Sequence, residues 1–296
     1  MAGLTGRLPD GASDARPIGL LSAGFVILMA VLAIAAGHRL PAWPWLLAGD
    51  ALALALLVLL RQAPGGSRLA LFVSLWYPML FMAEYYVQLG LLGPAARHLH
   101  DALIQRWELA LFGSQVSVTW RAHMPSLVLS SVLHLCYAAH YFIFLGVPVW
   151  LFVRRGRESA LRAVFAISLA FYVSWAISGL FPVAGPYYAF PRPTGPAAAV
   201  APARLVHAIL DSGASYGTAF PSSHVAASWS AVLVAYRDAR KLALGLAPVA
   251  LGLALGTVYG QFHYGVDALA GAAVAVACVL ATDPLRRRLA RGTRPA

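Results

Sequence analysis

Charged side chains are scarce in this chain of 296 residues: they make up only 11% of it, while 60% of the residues are hydrophobic. Soluble domains carry roughly 25% charged residues. This deficit, with repeated apolar runs of about 20 residues, excludes an ordinary soluble domain and predicts an all-α integral membrane protein. The runs must be helices because lipid cannot satisfy exposed backbone groups.

Cysteine and metal-ligand patterns are equally scarce. Cys136 and Cys278 lie within apolar runs and are interpreted as small apolar fillers rather than a disulfide or a metal pair. No H-E-x-x-H occurs, and the 11 carboxylates are scattered, so we predict no metal and no cofactor. Without an internal repeat or a low-complexity tract, the chain is predicted to be one membrane domain.

The apolar runs predict about eight transmembrane helices, covering 18–36, 42–61, 68–92, 126–153, 159–181, 221–237, 242–261 and 264–282. Two longer connections remain, near 93–125 and 182–220. The first is predicted to hold an interfacial helix, since Trp107 and Leu109 alternate with Arg106 and Glu108.

The spans divide the chain into three regions. Residues 1–67 hold an N-terminal tail and two helices, 68–283 form a six-helix core, and 284–296 are a basic tail. An alternative for the first span is a signal peptide, since Ala33-Ile34-Ala35 resembles a cleavage site.

The net charge of +11 is explained by membrane topology. With the predicted loops, 16 of the 22 basic residues fall on the side of the two termini and six on the other. The positive-inside rule therefore predicts cytoplasmic termini in a plasma (inner) membrane, with the 182–220 loop outside. Nucleic acid is excluded as a partner because the basic residues lack interleaved aromatics and a folded basic face.

Two short segments could carry chemistry. The first contains His263 and Asp267, which are four residues apart and would share one helix face. The aspartate can hold the N–H of one ring nitrogen and leave the other nitrogen free to attack an electrophile. Taken alone, this pattern is weak, because an interfacial His–Asp pair would look the same.

The second segment is Phe220-Pro221-Ser222-Ser223-His224. Pro221 suits the first position of a helix, where Ser222, Ser223 and free N–H groups can bind an anion. His224 can donate a proton to that anion. Together the two segments supply a nucleophile, an acid and clustered donors on the same outer side, as phosphoryl transfer requires.

These residues resemble motifs of the type-2 phosphatidic acid phosphatase superfamily. The P-S-G-H motif matches 221–224, with Ser223 in place of glycine, and S-R-x5-H-x3-D keeps its histidine and aspartate but has Thr257 at the arginine. The K-x6-R-P motif keeps Arg192-Pro193 but has Gly185 at the lysine.

Within that superfamily, Gly-Pro-Tyr-Tyr at 185–188 and the H-Y-x-x-D form at 263–267 are closest to the inositol phosphorylceramide synthase branch. The likeness covers about 182–283. It implies a six-helix phosphatase-type core, formed by the third to the eighth span, with two extra N-terminal helices.

The resemblance also implies residue roles. His263 would be the nucleophile that forms a phosphohistidine, Asp267 would orient it, and His224 would protonate the leaving alcohol. The candidates for binding the substrate phosphate are Arg192, Ser222, Ser223, Tyr187 and Arg204.

The resulting hypothesis is a metal-independent phosphatase for a lipid or polyprenyl phosphate, with membrane lipids as its other partners. The alternative is a phosphotransferase that moves a headgroup such as phosphoinositol to an alcohol or lipid. A transporter or scramblase that uses Glu84, His134 and His140, and an inactive receptor or scaffold, remain lower alternatives. Interhelical hydrogen bonding is the competing interpretation of the intramembrane polar residues, including Asp50 and Gln88.

Overall fold

The computed structural model describes residues 12–61, 68–96 and 98–291, which form helices and connecting loops. The α-helices are α1 (Ala12–Ala36), α2 (Trp43–Arg61), α3 (Arg68–Leu92), α4 (Asp101–Phe112), α5 (Val116–His123), α6 (Leu127–Ala138), α7 (His140–Arg155), α8 (Arg157–Leu180), α9 (Pro186–Ala189), α10 (Ala201–Gly213), α11 (Ser223–Asp238), α12 (Arg240–Tyr259) and α13 (Gly265–Arg291). The predicted interfacial helix corresponds to α4, followed by the short α5.

The all-helical prediction is confirmed for the described residues, and each predicted apolar run falls on helix. By length and composition, four helices can cross a membrane: Arg16–Arg39, Arg157–Leu180, Arg240–Tyr259 and Gly265–Ala290. The number becomes five if α6 and α7 count as one bent span. Helix length and composition therefore do not confirm eight membrane crossings.

Helix α11 shows why the apolar composition predicts more membrane spans than helix length supports. Its 16 residues extend about 24 Å, less than the roughly 30 Å of a hydrocarbon core. It packs against α7, α8, α12 and α13. Buried small residues such as Ala227, Ser228 and Ser230 allow these helices to approach closely. The helix is thus enclosed by protein, and it places His224 inside the bundle.

The predicted single span at 126–153 is two helices, α6 and α7, which are bent by 44° at Ala139. Tyr137 lies just before the break and His140 just after it. The Tyr137 hydroxyl lies 3.3 Å from His224 Nε2, and His140 Nδ1 lies 2.8 Å from Ser228 Oγ. Both sides of the break therefore contact α11.

The two N-terminal helices pack directly on the rest of the bundle. Helix α1 contacts α2, α3, α8 and α13, and Phe25 stacks on Tyr172 with ring centroids 4.3 Å apart. Gln88 Nε2 donates to Asp50 Oδ2 at 3.1 Å, an interhelical hydrogen bond between α3 and α2. Cys136 and Cys278 are both free thiols.

The connections that carry the motifs gather at one end of the bundle. Helices α8 and α12 end there, at Leu180 and Tyr259, and α11 and α13 begin there. The opposite end carries ion pairs between helices: Arg237 with Asp283 at 2.7 Å, and Arg286 with Glu158 at 2.7 Å.

Candidate active site

A small pocket at the motif end is lined by both His224 and His263. Its volume of about 40 Å³ is enough for about three water molecules. The pocket has an aromatic wall, made of Tyr86, Tyr137, Tyr187, Tyr188 and Phe262. Among the described residues, its lining contains no arginine and no lysine.

His263 is 6% exposed, and its ring is held from one side. Nδ1 lies 2.8 Å from the Ala219 carbonyl oxygen, to which only an N–H can donate. Nε2 therefore carries the lone pair, and it has no partner among the described residues. Burial lowers the pKa of His263 to about 4, although the bond to Ala219 opposes this shift. The ring is neutral at pH 7 and has a free nucleophilic nitrogen.

Asp267 lies close to the same ring but does not make its shortest contact. Its Oδ2 is 3.5 Å from His263 Nδ1 and accepts a 2.8 Å hydrogen bond from the Tyr264 N–H. Oδ1 is buried without a partner. The Ala219 carbonyl thus sets the tautomer, and the carboxylate lies where it can stabilise a positive charge on the ring.

His224 faces His263 across the pocket, with ring centroids 5.9 Å apart. Its Nε2 lies 3.3 Å from the Tyr137 hydroxyl, and its Nδ1 is buried without a partner. The His140 ring lies 4.6 Å from it. Tyr137 is a site residue that the motifs did not identify. The available signal was its position on the same helical face as His134.

The two serines before His224 differ in position. Ser222 caps α11, where its Oγ accepts from the Val225 N–H at 3.4 Å, and its own N–H donates to the Asp267 carbonyl at 3.0 Å. Ser223 lines the pocket. Ser222 is therefore a structural link between the starts of α11 and α13, and Ser223 is the serine that faces the pocket.

A family model described as the PAP2 superfamily matches residues 103–281, more than half of the chain. The chain belongs to the PAP2 superfamily. The matched region runs from α4 into α13 and contains both histidines of the pocket. This membership suggests a phosphatase or a phosphotransferase. No curated protein and no solved structure is significantly similar to the chain.

The first departure from the PAP2 motifs, Gly185, has a backbone explanation. Its φ of +88° is a conformation that side chains rarely adopt, and a Cβ there would lie 2.7 Å from Ala219 Cβ. Its N–H and that of Ala184 donate to the two carboxylate oxygens of Asp101, each at 2.9 Å. This backbone conformation leaves no room for the lysine of the PAP2 pattern.

The second departure, Thr257, supports the turn that carries His263. Its hydroxyl donates to the Ala254 carbonyl at 2.7 Å, so it offers no donor to a phosphate. Its carbonyl accepts the N–H groups of Phe262 at 2.9 Å and His263 at 3.0 Å. Within the turn, Gln261 has a φ of +61°, and its amide donates to the Pro191 carbonyl at 2.9 Å.

The predicted phosphate clamp, Arg192, is not part of the pocket lining. Its guanidinium lies 3.3 Å above the Tyr187 ring, and Nη2 lies 3.3 Å from Asp211 Oδ1. The Tyr187 hydroxyl donates to the same carboxylate, a bond that together with Arg192 lowers the pKa of Asp211. Tyr187 itself lines the pocket, whereas Arg204 is exposed on α10 and does not.

Two acids on α4 hold the motif loops in place. Asp101 binds the turn at Gly185 and also accepts from the Tyr264 hydroxyl at 3.0 Å. Glu108 is fully buried and accepts from the N–H groups of Ser117 at 2.8 Å and Gly265 at 3.0 Å. Burial raises the pKa of Glu108, while these hydrogen bonds oppose the shift. The sequence motifs do not identify either acid.

Proposed function

We propose that this protein is a lipid or polyprenyl phosphate phosphatase that works through a phosphohistidine on His263. The observation that carries the proposal is the pocket lined by both His224 and His263, whose rings lie 5.9 Å apart, with Nε2 of His263 unpaired among the described residues. Nε2 attacks phosphorus, the bond from phosphorus to the leaving oxygen breaks, and His224 donates its proton to that oxygen. Water then attacks the phosphohistidine, and His224 takes a proton from it.

Asp267 and the backbone complete this mechanism. Forming the phosphohistidine places a positive charge on the ring, which the carboxylate 3.5 Å away stabilises. Because arginine and lysine are absent from the described lining, N–H groups at the start of α11 are the proposed donors to the phosphoryl oxygens. The mechanism needs no metal ion, so we expect full activity in EDTA.

A lipid substrate is supported by the surface at the motif end. Helix α4 carries four large exposed apolar side chains: Trp107, Leu109, Leu111 and Phe112. Such a helix lies readily in the membrane interface, where a lipid phosphate would be found.

We also propose that the chain crosses the plasma (inner) membrane eight times, with cytoplasmic termini and the pocket outside. The arginine pairs at the end opposite the pocket support this orientation, because basic residues favour the cytoplasmic side.

The role of each histidine can be tested separately. His263→Ala should abolish both turnover and phosphoenzyme. His224→Ala should lose roughly 10²–10⁴-fold with an alcohol leaving group but much less with p-nitrophenyl phosphate, whose leaving group needs no proton. Equal losses on both substrates would contradict the acid role. A panel of lipid phosphates, with free phosphate and new lipid species both followed, would identify the substrate.

The second candidate is a phosphotransferase of the inositol phosphorylceramide synthase type. It is favoured by the H-Y-x-x-D form at 263–267, in which Tyr264 has a defined place. Its hydroxyl contacts both Asp101 and Gln105, each at 3.0 Å. An alcohol would then replace water in the second step, with the same phosphoenzyme.

A further inference from the structure

A separate cavity lies at the end of the bundle opposite the active-site pocket, among the ends of α1, α8, α11 and α13. Its volume of about 520 Å³ is in the range of sites that bind small molecules. Three carboxylates and four arginines line it, and the arginines are Arg162, Arg237, Arg286 and Arg287. The cavity is therefore a charged cleft between helices.

Every carboxylate of this lining is paired with an arginine. The pairs are Arg286 with Glu158 at 2.7 and 3.1 Å, Arg237 with Asp283 at 2.7 Å, and Arg162 with Asp238. These three pairs are neutral overall. Arg287 is exposed and has no ion pair among the described residues, so the lining carries a net formal charge of +1. This charge favours an anion.

Two of the paired arginines also have unused donors. Nε of Arg162 and Nε of Arg286 are buried without a hydrogen-bond partner, and the two side chains are only 8% and 12% exposed. A buried donor without an acceptor is unfavourable. A phosphate group only accepts hydrogen bonds, so it would satisfy these N–H groups and also match the positive charge.

The face of α13 that meets the cavity continues as an apolar surface. Asp283 and Arg287 are four residues apart, and Leu280 and Val276 precede them at helical spacing, so all four share one face. Leu280 is 73% exposed and Val276 is 49% exposed. A phospholipid has the same arrangement, a charged headgroup followed by apolar chains, whereas a soluble phosphate would use only the charged part of this face.

We propose that this cavity binds the headgroup of an anionic phospholipid. The phosphodiester accepts hydrogen bonds from the arginines of the lining, and the acyl chains lie along Leu280 and Val276. Basic pockets between transmembrane helices are known to suit anionic headgroups. The inference is independent of the proposed phosphoryl transfer, because the cavity lies at the end of the bundle away from His224 and His263.

The first test measures lipid binding to the full-length protein in detergent. Phosphatidylglycerol is titrated and the bound lipid is counted by native mass spectrometry, with phosphatidylcholine of the same acyl chains and inorganic phosphate as competitors. Arg286→Gln and Arg287→Gln should each weaken phosphatidylglycerol binding about tenfold, the loss expected for one hydrogen bond to a charged group. Arg288→Gln removes the same charge from an exposed neighbour outside the lining, so this matched control should bind as wild type does.

Equal weakening in Arg287→Gln and Arg288→Gln would show that only diffuse charge attracts the lipid, and the site would be wrongly assigned. Competition by phosphatidylcholine as strong as that of phosphatidylglycerol itself would show that the net charge is not recognised. Equally strong competition by inorganic phosphate would show that the cavity takes a soluble anion, and would overturn the lipid assignment. Arg287→Gln keeps the test valid if Arg286→Gln fails to fold, because Arg287 makes no ion pair among the described residues.

The second test locates the bound lipid by hydrogen–deuterium exchange. Phosphatidylglycerol should slow amide exchange at 157–162 and 283–290 in the wild type but not in Arg287→Gln. Slowing confined to 220–224 and 263–267 would place the lipid in the active-site pocket and overturn the inference. His263→Ala should keep the slowed exchange at 283–290. Turnover that survives this substitution would contradict the proposed function, while the exchange at 283–290 would still decide the lipid site.

Discussion

Replacing Asp267 by asparagine separates two roles that a carboxylate beside a histidine usually combines: it orients the ring, and it stabilises a positive charge on the ring. The Ala219 carbonyl already holds His263 Nδ1 at 2.8 Å, and an asparagine oxygen can still accept the Tyr264 N–H. The Asp267→Asn protein should therefore fold and keep the same His263 tautomer. What it loses is the carboxylate 3.5 Å from the ring that would become positive in the proposed phosphohistidine.

The size of this loss follows from the distance. For an ionised Asp267, two unit charges 3.5 Å apart interact by at most about 5 kcal/mol at an effective dielectric constant of about 20, and the cost of ionising a fully buried carboxyl offsets part of this. Each 1.36 kcal/mol corresponds to a factor of ten in rate. We therefore expect phosphoenzyme formation in the variant to slow by at most roughly 10³-fold.

The assay is rapid-quench measurement of phosphoenzyme formation from p-nitrophenyl phosphate, with ¹⁵N signals of His263 recorded on the same variant. We expect an unchanged Nδ1–H tautomer and the large rate loss. A loss below about tenfold would show that the backbone carbonyl suffices and that the charge of Asp267 is not used. A changed tautomer would show that the carboxylate, and not Ala219, orients the ring.

Three further predictions concern acidity, the phosphate clamp and topology. Burial lowers the pKa of His263 from 6.5 to about 4. Between these two pH values, the unfolded state therefore binds more protons than the folded state. The contribution of neutral His263 to stability should therefore be complete above pH 6.5 and lost as the pH falls to 4, measured as the difference in unfolding free energy between wild type and His263→Gln. Asp211→Asn should release Arg192 and lower KM. In that background, Arg192→Ala and Arg192→Lys should cost similar amounts, about 2–4 kcal/mol in kcat/KM, because the released guanidinium can bind two phosphate oxygens and a lysine cannot. Near wild-type kinetics in all three variants would remove Arg192 from the site. In a background without native cysteines, the thiol of Gly213→Cys should react with an impermeant reagent in intact cells, and that of Arg155→Cys only after lysis. The reverse pattern would show that the proposed orientation is wrong.

The approach of the two candidate catalytic segments could be predicted because it depends on local signals. Each segment sits at the end of an apolar run, and the two runs between them lead out and back. Such a connection returns the chain to the same end of the bundle. This is where the structure brings the rings of His224 and His263 to 5.9 Å.

The features that the sequence did not predict depend on distant partners. The break at Ala139 has no proline or glycine at that position, and its two sides contact α11, more than 80 residues away. Asp101 and Glu108 look like a solvated face of an interfacial helix, yet they bind Gly185 and Gly265. Arg192 matches the motif, but a carboxylate outside the motif holds its guanidinium.

The backbone at Gly185 has a consequence for anyone who wishes to restore the missing lysine of the PAP2 pattern. A Cβ there meets Ala219, whose carbonyl fixes the tautomer of His263. Gly185→Lys would therefore displace the group that orients His263 at the same time as it adds a cation. The two sites are not independent, so a single substitution cannot return this pocket to the charged form. Any such redesign must first rebuild the contact between the two loops.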